Sequence, residues 1–235
     1  MVRGGRPVLR IPGTLGEARA IQEVVAREAA AAPRISLDQV HTVGGADASY
    51  SRDGKMVHAA AVVLGLPFLA VLEESTCSCG VCFPYLPGYF AFREGPALVG
   101  AVGALKQKPG LLLVDGHGLA HPRRAGIAVH VGLLLGIPTV GVAKGLLCGD
   151  AAVPGLARGS MAPVMDEGGV VGMALRTRAG SRPVYVSPGY ATDLETAVAV
   201  ILSTTAGFRI PAPLREAHRI SRVVRERSLG SAGGP

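Results

Sequence analysis

The sequence has no tryptophan, and five tyrosines with five phenylalanines leave aromatic residues at only 4% of its 235 positions. A core must therefore be built from Ala, Val, Leu and Ile. Hydrophobic residues make up 49% of the chain, ample for a packed domain and far from the composition of a disordered one. Four cysteines are too few for a disulfide scaffold at this length and fit a reducing cytoplasm. No apolar run reaches the roughly 18 residues that span a bilayer, so no membrane partner is expected. The opening residues are basic but carry no apolar stretch, so they do not read as a signal peptide. Acid is the scarcer charge: 17 Asp and Glu stand against 24 Lys and Arg, a net charge of +7. That balance suits a polyanionic partner, nucleic acid first among them, or plain solubility. Arg3, Arg6 and Arg10 open the chain, and Arg215, Arg219, Arg222, Arg225 and Arg227 crowd its end. With so few acids, any acid embedded in apolar sequence needs an explanation.

Hydrophobic spacing predicts a helix over 15–31, ended by Pro33. Three β-like runs follow, Val40–Tyr50, Val57–Leu66 and Phe68–Ser75, joined by the turn-prone Arg52-Asp53-Gly54 and the Gly65–Pro67 break, which together suggest an antiparallel meander. After Gly95-Pro96 the pattern changes to a helix from Ala97 to Gln107, an apolar strand Gly110–Val114, a helix from Arg123 to Leu135 and a strand Pro138–Val142. Apolar strands alternating with helices imply parallel pairing with helices on the faces. Residues 149–169 read as a long surface excursion, Val170–Arg178 and Pro183–Ser187 as a hairpin, and Thr192-x-x-Glu195 as a capping box opening a helix. Pro213 starts a last helix over 213–227, and Ser228–Pro235 reads as a disordered tail. A meander followed by α-β-α-β is the element order of an α/β ribonuclease-H-like fold, a mixed central sheet flanked by helices, in one domain over 1–227. A doubly wound nucleotide-binding fold would need helices between the first three strands.

Three acids stand out. Asp47 lies inside the first strand after Val43-Gly44-Gly45-Ala46, Asp115 ends Leu111-Leu112-Leu113-Val114, and Glu94 lies just ahead of the predicted helix. A carboxylate at the end of a buried strand is costly unless a cation or a set of donors meets it. Bland explanations exist for each: Asp115 as a turn acid in Gly116-His117-Gly118, Glu94 as a helix-start acid or a partner of Arg93, Asp47 as half of an ion pair. Carboxylate oxygens are also what a hard divalent cation such as Mg²⁺ takes, alongside substrate phosphate and water. His218, beside Leu214 and Ala217 on the last helix, is expected to face inward, as a satisfied core histidine or as a group orienting water near the acids. Lys144 closes an apolar strand as a phosphate contact or a snorkelling side chain. His121, opening His121-Pro122-Arg123-Arg124, sits at a predicted helix start that favours anions.

The segments Phe83-Pro84-Tyr85-Leu86-Pro87-Gly88, Phe92-Arg93-Glu94, Val114-Asp115-Gly116-His117-Gly118, His121-Pro122-Arg123-Arg124, Gly141-Val142-Ala143-Lys144 and Val184-Tyr185-Val186-Ser187-Pro188-Gly189, in this order, resemble the endonuclease V family. The likeness runs from about Arg34 to Arg222. It implies a ribonuclease-H-like nuclease that cuts DNA containing deoxyinosine at the second phosphodiester bond 3′ of the lesion, using Mg²⁺ or Mn²⁺, and leaves a 3′-hydroxyl and a 5′-phosphate. On the matching positions it implies metal binding by Asp47 and Asp115 directly and by Glu94 directly or through water. His218 would complete the site, with Lys144 and His121 in support. Tyr85, stiffened by Pro84 and Pro87 and followed by Leu86, would be the wedge at the flipped base. Gly88, Gly116 and Gly126 would let backbone approach that base. Cys77-x-Cys79-x-x-Cys82, just before the wedge, departs from the family. With Cys148 it would make a four-thiolate zinc set, but the tight spacing and the lack of a second CxxC favour free thiols. A monomer in the cytoplasm is expected. Rival readings are an endoribonuclease for inosine in RNA and a non-catalytic binder of distorted nucleic acid. There is no G-x-S-x-G and no P-loop motif to support a serine hydrolase or NTPase.

Overall fold

The structure, a computed structural model, describes residues 10–230. Arg3, Arg6 and the last five residues of the expected tail lie outside them. Helix α1 (Leu15–Ala30) opens where the Thr14 side chain accepts the Glu17 N–H at 3.2 Å and Glu17 Oε2 accepts the Gly13 N–H at 2.9 Å. Strands β1 (Thr42–Tyr50), β2 (Met56–Gly65) and β3 (Ala70–Gly80) form the meander, antiparallel throughout. Next come α2 (Phe90–Ala104), β4 (Leu111–Asp115), α3 (Ile127–Leu135) and β5 (Thr139–Ala143). The chain continues through β6 (Asp150–Ala151), β7 (Met161–Asp166), β8 (Gly169–Leu175) and β9 (Val184–Pro188) to α4 (Leu194–Thr204) and α5 (Ala212–Gly230). All nine strands make one sheet in the order β3-β2-β1-β4-β5-β9-β8-β7-β6. Pairing is parallel at β1–β4 and β4–β5 and antiparallel elsewhere, the mixed sheet that the sequence predicts. Among the described residues no helix is long and apolar enough to cross a membrane.

Alternation along the strands feeds two cores. On one face Ala46, Ala61, Leu112 and Val114 pack with Leu98, Ala101 and Val131 of α2 and α3. On the other, Val43, Leu111, Leu113, Val142 and Val186 pack with Val200, Ile201 and Leu214 of α4 and α5. The shortage of large aromatics is met by close approach of backbone. At Gly45 a Cβ would collide with the Pro213 carbonyl, so the first turn of α5 lies directly on β1. That approach brings the next turn of α5 over Asp47. Because Ala46 pairs with Val114 in parallel register, Asp47 and Asp115 emerge side by side at the same end of neighbouring strands.

Several boundaries differ from expectation. Helix α2 begins at Phe90, not Ala97, so Glu94 is inside it and Pro96 is within its second turn. A proline there loses one hydrogen bond, at a cost of about 3 kcal/mol, and burial of Phe92, Leu98, Ala101 and Val102 outweighs it. Helix α3 starts after Gly126, leaving Arg123 and Arg124 in a turn. Strand β3 runs on to Gly80 because pairing with β2 continues through a polar, half-exposed edge. The predicted excursion at 149–169 holds β6 and β7 instead. Ala162 and Val164 point inward at period two, and the exposed Pro163 between them masks the pattern. The helix cap at α4 is Asp193, whose carboxylate accepts the Thr196 N–H at 2.7 Å, so Thr192-x-x-Glu195 is not the capping box. Ser228 is still helical, its hydroxyl donating to the Arg225 carbonyl at 2.7 Å, so α5 outlasts the predicted 213–227.

Candidate active site

Each of the three acids has its own partner. Asp47, buried, lies with Oδ2 2.7 Å from His218 Nδ1. Asp115 Oδ2 accepts from Lys144 Nζ at 2.6 Å, and Glu94 Oε1 accepts from the Tyr50 hydroxyl at 2.7 Å. The charge of Asp115 acts on both Asp47 and Glu94, and that of Asp47 acts on Glu94. Burial first, then repulsion by Asp115, pushes the Asp47 carboxyl up to about 6, against the pull of His218 and Lys144. Burial likewise raises Glu94 to about 7, with Asp47 and Asp115 adding to the rise and the Tyr50 hydrogen bond opposing it.

Among the described residues no three or more His, Cys, Asp or Glu side chains stand in a geometry that holds a metal ion as it is. The expected convergence is thus one of position and charge, with each carboxylate turned to a separate donor. The donor set itself fits a hard divalent cation. It offers carboxylate oxygens only, two of them raised in pKa by burial and mutual repulsion, which a +2 charge would relieve. The Asp115 side chain keeps 27% of its surface open to solvent. His218 corrects its prediction: its side chain is 53% exposed, touching Asp47 from the rim instead of facing the core.

Tyr85 is 63% exposed, its ring edge-on to Phe90 at 5.1 Å, while the neighbouring Leu86 packs on the buried Phe83, Tyr89 and Phe92. The aromatic tip therefore stands outward on an anchored loop. Near it is a narrow recess of about 10 Å³, room for roughly one water, lined by Gln22, Gly88, His117, His121, Gly126 and Ile127, among others. Gly88 and Gly126 belong to this lining. Gly116 does not; a Cβ there would meet Ile127 Cγ2 at 2.5 Å, so its glycine is explained by packing against α3.

The Gly88 carbonyl accepts from Gln22 Nε2 and His121 Nε2, each at 2.8 Å, and from Arg123 Nη2 at 3.2 Å. With Nε2 donating, His121 Nδ1 accepts the Arg123 N–H at 3.1 Å. The ring is neutral and internal, and burial drives its pKa down to about 4. His121 is thus a buried strut and not an anion contact. The adjacent arginines are also committed inside the protein: Arg123 to Gln22 Oε1 at 2.5 Å, Arg124 to Asp166 at 2.5 Å and Glu167 at 3.2 Å. Both guanidinium groups are thus already engaged by protein partners. All four cysteines are free thiols.

Sequence reasoning missed Gln22, Tyr50 and Arg93. Gln22 carried a signal, being a polar residue within the apolar stripe of α1 yet fully buried. Arg93 stood in the Phe92-Arg93-Glu94 motif without showing its partner, and Tyr50 carried no signal, since the two meet across 43 residues of sequence.

An antiparallel meander followed by the parallel-paired β4 and β5, with acids gathered where the β1–β4 pairing ends, defines a ribonuclease-H-like fold. More narrowly, the chain belongs to the endonuclease V family, a family of nucleases, whose model matches residues 22–219. Endonuclease V of Roseiflexus sp. (strain RS-1) is 45% identical over 214 residues, covering 89% of this chain and 93% of that one. The crystal structure of endonuclease V from Streptomyces avermitilis superposes with a TM-score of 0.86 at 42% identity, covering 95% of this chain and 96% of that one. Endonuclease V of Ciona intestinalis, in complex with a 24mer DNA containing an inosine followed by a ribo-adenosine, superposes at 0.77 with 27% identity, covering 91% and 98%.

Proposed function

We propose that this chain is a metal-dependent DNA repair endonuclease. In this reading it recognises deoxyinosine by base flipping and hydrolyses the second phosphodiester bond 3′ of the lesion, leaving a 3′-hydroxyl and a 5′-phosphate. The observation that carries the reading is the gathering of Asp47, Glu94 and Asp115, close enough that Asp115 acts on the other two, together with the outward Tyr85. A non-catalytic binder of DNA gains nothing from acids held against phosphates.

Asp47 and Asp115 would hold Mg²⁺, or Mn²⁺ in its place, directly, and Glu94 directly or through water. The bound ion supplies polarisation of the phosphodiester and a water acidified for attack. His218, half exposed and steadied by Asp47, orients water at the rim. Lys144 brings a cationic charge to the edge of the site, where negative charge grows on the phosphate. Pro84 and Pro87 stiffen the loop on which Tyr85 replaces the base that leaves the stack. Extrusion costs a few kcal/mol, and less where inosine pairs poorly, which adds to selectivity. The base would seat at the open mouth of the recess beside Gly88. Because the Gly88 carbonyl already accepts three donors, it holds the recess in shape and other groups read the base. Residues 1–227 act as one catalytic domain, monomeric and cytoplasmic.

An end-labelled duplex with one inosine tests this: with Mg²⁺ the labelled strand is expected to break at the second bond 3′ of inosine. A break elsewhere, or an inosine-free duplex cut equally well, would reject it. A second reading, action on inosine in RNA, is favoured by the ribo-adenosine that follows inosine in the Ciona complex. Matched DNA and RNA strands in parallel assays separate the two.

A further inference from the structure

Arg93 and Tyr50 join the root of the Tyr85 loop to the Glu94 carboxylate. Arg93 Nη1 donates to the Phe83 carbonyl at 2.8 Å, and Phe83 is bonded to Pro84, the first residue of that loop. The Nε of the same guanidinium donates to the Tyr50 hydroxyl at 3.1 Å, and that hydroxyl donates its proton to Glu94 Oε1 at 2.7 Å. The guanidinium carbon also sits 4.8 Å from the centroid of the Tyr50 ring. Each group in the series has a rigid footing. Phe83 is buried against Phe92, with ring centroids 5.5 Å apart, Tyr50 ends β1 three residues after Asp47, and Arg93 and Glu94 are neighbours on α2.

The hydrogen bonds of Arg93 go to Phe83 and Tyr50, and Glu94 is reached through the phenol. An arginine present only to neutralise Glu94 would pair with it directly, as Lys144 does with Asp115. The planar fork instead spans two targets whose separation depends on where the loop root sits. A small displacement of the Phe83 carbonyl as the loop seats would be felt at the fork, at the phenol and at Oε1. Tyr50 has one hydroxyl proton, so its bond to Glu94 cannot be kept while the phenol donates elsewhere.

We propose that Tyr50 and Arg93 are positioning residues that couple engagement of the Tyr85 loop with a nucleic acid to placement of the Glu94 carboxylate, so that cutting competence follows wedge insertion. This rests on the nuclease reading above. It adds a device that withholds cleavage from duplex the wedge has not entered.

The test is single-turnover nicking of an inosine duplex with Mg²⁺, alongside duplex Kd in EDTA, for wild type, Tyr50→Phe, Tyr85→Ala and the double variant. Losing a hydrogen bond to a charged group is expected to slow nicking about tenfold to a hundredfold in Tyr50→Phe, with Kd within about twofold of wild type. In the Tyr85→Ala background the same change is expected to cost less than about threefold, because there is no wedge movement to transmit. Arg93→Lys, which keeps the charge and loses the fork, is expected to reproduce the Tyr50→Phe pattern and guards against misfolding of that variant. Equal slowing in both backgrounds, or none in either, would overturn the coupling while leaving a nicking wild type intact. A wild type inert on the duplex would overturn the nuclease reading and this proposal with it.

Discussion

Around Gly88 the polar groups are over-bonded, whereas at the ends of β1 and β4 they are strained against one another. One carbonyl oxygen there takes three N–H donors, and His121 uses both ring nitrogens. A few residues away, burial and neighbouring negative charge raise the Asp47 and Glu94 carboxyls, and each of the three acids is held by one donor: His218 for Asp47, Lys144 for Asp115 and Tyr50 for Glu94. The contrast fits the roles proposed for the two regions. A recess that must keep its shape benefits from redundant bonds in low dielectric, where an unpaired group costs most. Carboxylates that must accept a cation benefit from partners that a cation can replace.

Removing an acid should affect chemistry far more than folding. Asp47→Ala and Asp115→Ala are each expected to lower nicking of an inosine duplex by about a thousandfold or more, with circular dichroism unchanged. Tyr85→Ala comes next. It should slow nicking by about tenfold to a hundredfold and leave the melting temperature where it was, since the side chain is 63% exposed. His121→Ala should do the reverse. It leaves the Arg123 N–H unpaired and removes one of the donors to Gly88, costing about 1–3 kcal/mol of stability in a denaturant titration. Equal destabilisation by Asp47→Ala would erase the contrast between the two regions.

The smallest effect is a pH dependence. Folding raises the Glu94 carboxyl to about 7. The folded chain therefore holds that proton more tightly than the unfolded one, and stability falls as pH climbs from about 4 through about 7. Glu94→Gln removes that ionisation. In EDTA its melting temperature should gain on wild type by a few degrees between pH 5 and pH 8, and added Mg²⁺ should narrow the gap by stabilising wild type.

Much of the fold was legible because it rests on local pattern. The meander is marked by Arg52-Asp53-Gly54, and the buried β4 by Leu111–Val114 ending in Asp115. The failures have a common cause in tertiary override. Gly95-Pro96 reads as a break, yet packing keeps both inside α2, and Pro163 hides a strand that the sheet edge accepts. Asp47, Glu94 and Asp115 were identifiable one by one as acids in apolar sequence, and Tyr85 through the family resemblance. Which groups hold them was not. The Asp47–His218 contact spans 171 residues and depends on Gly45 letting α5 lie against β1. From sequence His121 is expected at a helix start that favours anions, whereas Gln22 and Gly88 tie it and Arg123 together as interior struts.

The central claim is that three mutually repelling carboxylates bind a divalent cation and that this binding licenses the cut. Titrating Mg²⁺ into wild type and Asp47→Ala, following melting temperature and inosine-strand nicking in the same samples, tests it most directly. The account predicts that wild type gains stability and activity together over one range of Mg²⁺, and that Asp47→Ala gains neither. Full nicking by Asp47→Ala, or wild-type activity at saturation in EDTA, would contradict it.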